Sequence, residues 1–240
     1  MWRFSILTFA FVALACAQEV RVSWIGQACF VVQNAEGKPV VVTDPPSAGM
    51  GYTLPTVEAG AVTVTHDHGD HNNTAGVRGK PTVVDGCGAT AERQVEAAGL
   101  RFTIIPGFHD NSSGSQRGAN SIIRWSQAGI SFAHFGDFGQ DRLSDSQLAA
   151  LRGTEVLFIP AGGFYTIDAR GAAAIIGELK PRIAILMHYR TALGGPARLA
   201  DLAGIEGSFP GLLKKPSTVA LSRGSLPAKS EVWVLEPAGR

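Results

Sequence analysis

His66-Asp67-His68-Gly69-Asp70-His71 is the stretch on which the reading turns. It follows residues 61–65, Ala-Val-Thr-Val-Thr, a β-branched run that predicts a strand. The chain has six histidines, and three of them fall within this segment of six positions. Side chains alternate along an extended backbone, so His66 and His68 point the same way. A turn after Gly69 swings Asp70 and His71 to an adjacent position. Imidazole nitrogens and carboxylate oxygens are the ligands that suit Zn²⁺ and similar divalent ions. The plainer alternative is a solvated polar loop, or caps ahead of a helix at residues 72–74. The concentration of histidine argues against it.

Outward from this segment the chain reads as many short elements. Residues 20–24, 28–33 and 39–43 form an opening meander, and 82–85, 102–106, 121–126 and 130–134 read as further strands. Residues 156–160, 183–187, 219–221 and 231–235 complete the strand set. Helices are expected at 89–98, stopped by Gly99, at 144–151 behind a capping Ser, at 168–179 and at 197–203. Strands come first and then alternate with helices, without repeat or low-complexity linker. That order gives one mixed α/β domain from residue 18 to 240, with sheets that need helices on their outer faces.

Length and composition narrow the function classes. With 240 residues, 45% hydrophobic and 17% charged, the chain has the apolar mass for a sizeable core. A net charge of +1 and scattered basic residues give no pull toward nucleic acid or anionic lipid. Residues 1–17 are set apart: Arg3, an apolar run over 4–15, and Ala15-Cys16-Ala17 read as a signal peptide with its cleavage site. The run is shorter than the ~20 residues of a membrane span, so no transmembrane segment is expected in the mature chain. Ala13-Leu14-Ala15-Cys16 also loosely resembles a bacterial lipobox, which would leave Cys16 acylated; Ala13 stands where Leu is expected. Either reading places the mature protein outside the cytoplasm, periplasmic or secreted. Cys29 and Cys87 remain, and no disulfide is expected between them.

The H-x-H-x-D-H pattern at 66–71 resembles that of the metallo-β-lactamase-fold hydrolases. The resemblance extends through Thr43-Asp44-Pro45, Gly107-Phe108-His109-Asp110, His134-Phe135-Gly136-Asp137, Pro160-Ala161-Gly162-Gly163 and Met187-His188-Tyr189. In that order it looks most like the branch with ascorbate-phosphate lactonases and the phospholipase D-like acylethanolamine-lipid enzymes. The resemblance implies a four-layer αββα sandwich and two metal positions. His66, His68 and His109 would hold the first; Asp70, His71 and His188 the second, with Asp137 bridging. Two zinc ions are the expected cofactor, with manganese the other candidate. Such a pair clamps a hydroxide, and Asp70 would orient that nucleophile or relay its proton.

Several residues stay open on the sequence. His109 and His134 both precede Asp137, and spacing does not choose between them; His109 is expected as the ligand and His134 as a partly buried neighbour. Asp44 is expected to orient a ligand histidine rather than to bind metal. Tyr189 and Arg190 are candidates for donating to a substrate oxyanion. Gly86-Cys87-Gly88-Ala89-Thr90-Ala91 mimics a dinucleotide fingerprint, but no acidic residue ends a later strand at the required distance. A G-x-S-x-G elbow is absent. The resulting expectation is an exported metal-dependent hydrolase acting on a small-molecule lactone, ester or phosphodiester. The rival is an exported metal or ligand carrier without hydrolytic activity.

Overall fold

The β-branched runs pair into two sheets in the computed structural model, which describes residues 18–54 and 56–238. The signal-peptide and lipobox readings therefore lie outside the described residues. In chain order the strands are β1 (Glu19–Gly26), β2 (Cys29–Asn34), β3 (Val40–Thr43), β4 (Ala59–Val64), β5 (Gly79–Asp85), β6 (Arg93–Ala97), β7 (Leu100–Phe108), β8 (Ala119–Gln127) and β9 (Ile130–His134). Helix α1 (Asp145–Leu151), β10 (Val156–Pro160), α2 (Ala169–Leu179), β11 (Ile183–Met187) and the short α3 (Leu202–Ile205) follow, then β12 (Leu213–Lys215), β13 (Thr218–Ser222) and β14 (Glu231–Leu235).

One sheet has six strands in the order β13-β1-β2-β3-β4-β5, the other eight in the order β12-β14-β11-β10-β9-β8-β7-β6. Both are mixed: β3, β4 and β5 run parallel, as do β9, β10, β11, β14 and β12. Large rings fill the space between the sheets. Phe30 of the first meets Phe158 of the second at 4.2 Å between centroids, and Phe158 continues to Phe132 at 6.1 Å and Trp125 at 6.2 Å. Each fully buried ring of this kind stabilises the fold by about 1.5–3 kcal/mol.

Helix α1 lies against β7 and α2 against β10 on the outer face of the eight-stranded sheet. Asp168 caps α2 through the N–H groups of Arg170 and Gly171, and the helix buries Ala169, Ala172, Ile175 and Ile176. The outer face of the six-stranded sheet is built differently. Val31, Val40, Val42 and Val62 alternate with the inward Phe30, Val41 and Ala61, and they pack under Leu54, Val57 and Val77. Irregular connections with single 3-10 turns at Ala48–Met50 and Thr74–Gly76 supply that cover.

Three local expectations need correcting. Residues 89–98 are not a helix; their second half is β6, an exposed edge strand paired antiparallel to β7. Ala98 and Gly99, at φ of +52° and +76°, make the left-handed two-residue turn that hairpins favour, so cross-strand pairing overrides helical composition. The helix expected at 197–203 is confined to α3, which begins after Asp201 caps it. Strand β12 escaped notice because three residues carry no readable period. Cys29 is buried, Cys87 is half-buried, and both are free.

The topology sets up one populated rim. Asp44 follows β3, His66 stands two residues beyond β4, His109 follows β7, Asp137 stands three beyond β9, and His188 follows β11. Loops at the carboxyl ends of co-directed strands converge at one edge, as ligand sites do in open α/β sheets.

Candidate metal centre

Asp137 is the hub. Its Oδ2 lies 3.1 Å from His109 Nε2 and 3.8 Å from His66 Nε2. Its Oδ1 lies 3.1 Å from both His71 Nε2 and His188 Nε2. One carboxylate thus faces two groups with one oxygen each. His66, His68 and His109 offer ligand atoms all within 4.8 Å of one another, and so do Asp70, His71, Asp137 and His188. Asp70 Oδ2 stands 3.3 Å from His71 Nε2 and 4.0 Å from His188 Nε2.

The turn that delivers Asp137 is fixed by its neighbours. Gly136 adopts φ +54°, and a side chain there would run into the Thr65 and Asn120 side chains. Asn120 on β8 accepts from the Asp137 N–H at 2.9 Å and donates to the Phe135 carbonyl at 2.9 Å. A similar squeeze occurs at Gly162, where a Cβ would strike the His188 carbonyl. The glycines of these two motifs are therefore steric requirements of the rim.

Beyond the hub, Asp44 accepts hydrogen bonds from the Thr65 N–H (3.0 Å), the Thr65 hydroxyl and His71 Nδ1 (2.9 Å). That contact fixes the His71 ring so that Nε2 points at Asp137 and Asp70. Asp70 is held by Gln27, whose Nε2 donates to Oδ2 at 3.0 Å. His66 Nδ1 pairs with the Thr65 hydroxyl at 3.1 Å.

Charge is distributed unevenly. Burial and the neighbouring His71 push the His66 imidazole down to about 3, so it is a neutral lone-pair donor. Burial works against His71 too, but the carboxylates of Asp137, Asp44 and Asp70 outweigh it and raise its pKa well above the usual histidine range. Asp137 is driven the other way: burial is overridden by His188, His71 and the His109 hydrogen bond, and the carboxyl stays far below its ordinary value. Asp70 is held ionised against its burial by His71.

The donor set fits divalent metal. His66 Nε2, His71 Nε2, His188 Nε2 and Asp137 Oδ1 are buried without a hydrogen-bond partner, and each belongs to one of the two groups whose donor atoms lie within 4.8 Å of one another. Buried polar atoms left unmatched in this way cost about 1–3 kcal/mol each.

His134 stands apart from this set. It is fully buried, its Nε2 donates to the Ala28 carbonyl at 2.8 Å, and its Nδ1 accepts from the Gly136 N–H at 3.2 Å. Both ring nitrogens are committed, so His134 braces the β9 end rather than opening to the hub. Tyr189 and Arg190, expected near substrate, are placed elsewhere. The Tyr189 ring is buried against Trp24 at 5.1 Å between centroids, and Arg190 pairs with Asp201 at 2.9 Å. Both line a separate cavity of about 580 Å³. The reason is the left-handed turn at His188, φ +52°, which sends the residues after it away from the hub.

A cavity of about 420 Å³ opens over the hub, with Asp70, His109, Asp137 and His188 in its floor and Met50, Arg117, Tyr165 and Pro196 in its walls. Gln27 and Arg117 were not singled out by the sequence. Gln27 lies in an ordinary β1–β2 turn, and Arg117 carries no motif around it.

Comparison with known proteins gives the family. A beta-lactamase superfamily domain profile matches residues 21–188, the span from β1 to the last hub histidine. A UPF0173 metal-dependent hydrolase of Nitratidesulfovibrio vulgaris is 31% identical over 201 residues, covering 72% of this chain and 81% of that protein. One from Thermoplasma acidophilum is 26% identical over 215 residues, covering 80% and 94%. A crystal structure of a metallo-beta-lactamase superfamily protein from Thermotoga maritima superposes with a TM-score of 0.70 at 26% identity, covering 90% of this chain and 98% of that one. With the hub, the two-sheet fold and these matches in agreement, the chain belongs to the UPF0173 metal-dependent hydrolases of the metallo-β-lactamase superfamily.

Proposed function

We propose that the rim holds two divalent ions and hydrolyses a lactone, ester or phosphodiester of a small molecule. His66, His68 and His109 would hold one ion, Asp70, His71 and His188 the other, and Asp137 would stand between them. The observation that carries the reading is the Asp137 carboxylate, with one oxygen 3.1 Å from His109 and the other 3.1 Å from His71 and His188. A pair of such ions supplies Lewis acidity and acidifies water to near neutral pH. Zinc is the metal in the name of the Thermotoga maritima relative; manganese suits the same donors.

The chain's own residues do the positioning. Asp44 fixes the His71 ring, and Gln27 donates to the Asp70 oxygen that faces His71 and His188. Asp70, partly open to that cavity, is the carboxylate placed to orient a nucleophile or take its proton. The resemblance to ascorbate-phosphate lactonases and phospholipase D-like lipid enzymes supports the choice of bonds. Residues 1–17 would direct the protein out of the cytoplasm, and N-terminal sequencing of material from a cell fraction checks that directly.

The test pairs metal analysis of purified protein with a panel of esters, lactones and phosphodiesters under added Zn²⁺ or Mn²⁺. Two equivalents of metal are expected, with hydrolysis lost in His66→Ala and Asp137→Ala. Full activity of either variant without metal would end the proposal. Tight metal retention with silence across the panel would favour the carrier.

A further inference from the structure

We propose that Arg117 makes the cavity selective for substrates whose non-reacting part carries an oxyanion, a carboxylate or a phosphate. This rests on the hydrolytic reading above and adds the substrate's charge class. Arg117 is the one arginine or lysine among the described residues lining the cavity over the hub. Arg21, Arg101 and Arg190 pair with acids. Arg117 has no such partner among the described residues. Its Nη2 donates to the Phe164 carbonyl at 3.0 Å, which leaves the rest of the guanidinium fork without a protein acceptor.

A solvated surface arginine would be the ordinary explanation, but the loop that carries it is built to hold it still. The Asp110 carboxylate, itself buried, accepts from four backbone N–H groups of the β7–β8 connection: Ser112 at 2.8 Å, Gly114 at 3.0 Å, Gln116 at 3.0 Å and Arg117 at 2.8 Å. His109, one residue earlier, faces Asp137, so a single short segment fixes both a hub histidine and the cationic wall. On its far side the guanidinium carbon lies 6.0 Å from the Tyr165 ring centroid, and the backbone of the neighbouring Phe164 takes the hydrogen bond already named. Arg117 is thus held from two sides, half-buried, with unpaired donors beside the reacting groups. A planar fork in this state matches the paired oxygens of a carboxylate or phosphate.

The test compares metal-loaded wild type, Arg117→Gln and Arg117→Lys on two chromogenic esters. 4-Nitrophenyl butyrate is neutral, and mono(4-nitrophenyl) succinate carries a carboxylate at the far end of a similar acyl chain. Titration calorimetry with glutarate and with phenyl phosphate reads anion binding without turnover and separates the two oxyanion sources. In Arg117→Gln, the ratio of kcat/KM for the succinate ester to that for the butyrate ester should fall by about 10- to 100-fold, the loss of one charge-assisted hydrogen bond. The change should sit mainly in KM, and affinity for at least one anion should fall in parallel. Arg117→Lys, which keeps the charge and loses the fork, should restore part of it. An unchanged ester ratio with unchanged binding of both anions would overturn the proposal, as would equal losses on both esters. If wild type cleaves neither ester while Arg117→Gln still loses anion binding, the charge selectivity stands and the hydrolytic reading fails for esters.

Discussion

The two halves of the hub are made of the same segment and behave oppositely. His66 and His71 stand five positions apart in sequence, and their rings lie 4.4 Å apart between centroids. His66 belongs to a group of three imidazoles, one of which, His68, is exposed. Its own pKa is pushed down to about 3, by burial first and by the charge of His71 second. His71 is ringed by Asp44, Asp70 and Asp137, and its pKa is raised instead. The comparison teaches that spacing sets which nitrogens meet, while the carboxylates brought in from β3 and β9 set the charge each half holds. In one half His66 is held neutral beside an exposed His68; the other is ringed by carboxylates, and its His71 is buried and braced.

Removing the carboxylate shared by both halves should have the largest effect. Asp137→Ala is expected to lower kcat/KM by about a thousandfold or more, the several kcal/mol that a metal centre contributes. Elemental analysis of the same variant should show both equivalents depleted. Retention of both would mean that Asp137 does not join the halves.

The two histidines that precede Asp137 sharpen the contrast next. His109→Ala should cost metal from the open half while leaving the fold intact by thermal melting. His134→Ala should do the reverse: metal content holds, and stability falls by about 1–3 kcal/mol because the buried Ala28 carbonyl loses its donor. Exchange of these two outcomes would reassign the ligand.

Asp44→Asn probes the brace on the acidic half. Loss of the carboxylate that orients His71 should weaken binding of the second metal equivalent by about 10- to 100-fold, read by chelator competition. A uniform weakening of both equivalents would show that the halves are not separately supported. The smallest effect is expected at Arg190→Ala, where an exposed pair with Asp201 contributes no more than about 1 kcal/mol to stability. A tenfold or greater drop in kcat/KM there would return Arg190 to the substrate.

Much of this site was legible in the linear chain. The cluster at 66–71 follows a strand with the period of a half-exposed rim, and the isolated His109, Asp137 and His188 each stand at the end of an apolar run. The mixed α/β class was legible for the same reason, since apolar runs announce strands that must be covered, while the four-layer sandwich was what the family resemblance implied. Less visible were elements whose stability comes from pairing. Residues 93–97 have helical composition, yet a left-handed turn at Ala98-Gly99 folds them onto β7. Two supports of the site were silent as well: Gln27 and Asn120 stand outside any motif and act through hydrogen bonds to Asp70 and to the Phe135–Asp137 turn.

The amino-acid order by itself determined that imidazoles and carboxylates would gather at the carboxyl ends of strands, because strand period and turn chemistry are local properties. The need for glycine at 136 and 162 came instead from tertiary contacts, since a Cβ would strike Thr65 and Asn120 at the first and the His188 carbonyl at the second. Tertiary structure alone decided which nitrogens remain free. His134 is sealed by a carbonyl more than a hundred residues away, and Arg190 by Asp201, whereas His109 turns its Nε2 to Asp137 and Arg117 donates only to the Phe164 carbonyl. Whether a polar atom is spent or available depends on what the rest of the chain brings within about 3 Å of it, and no local pattern records that distance.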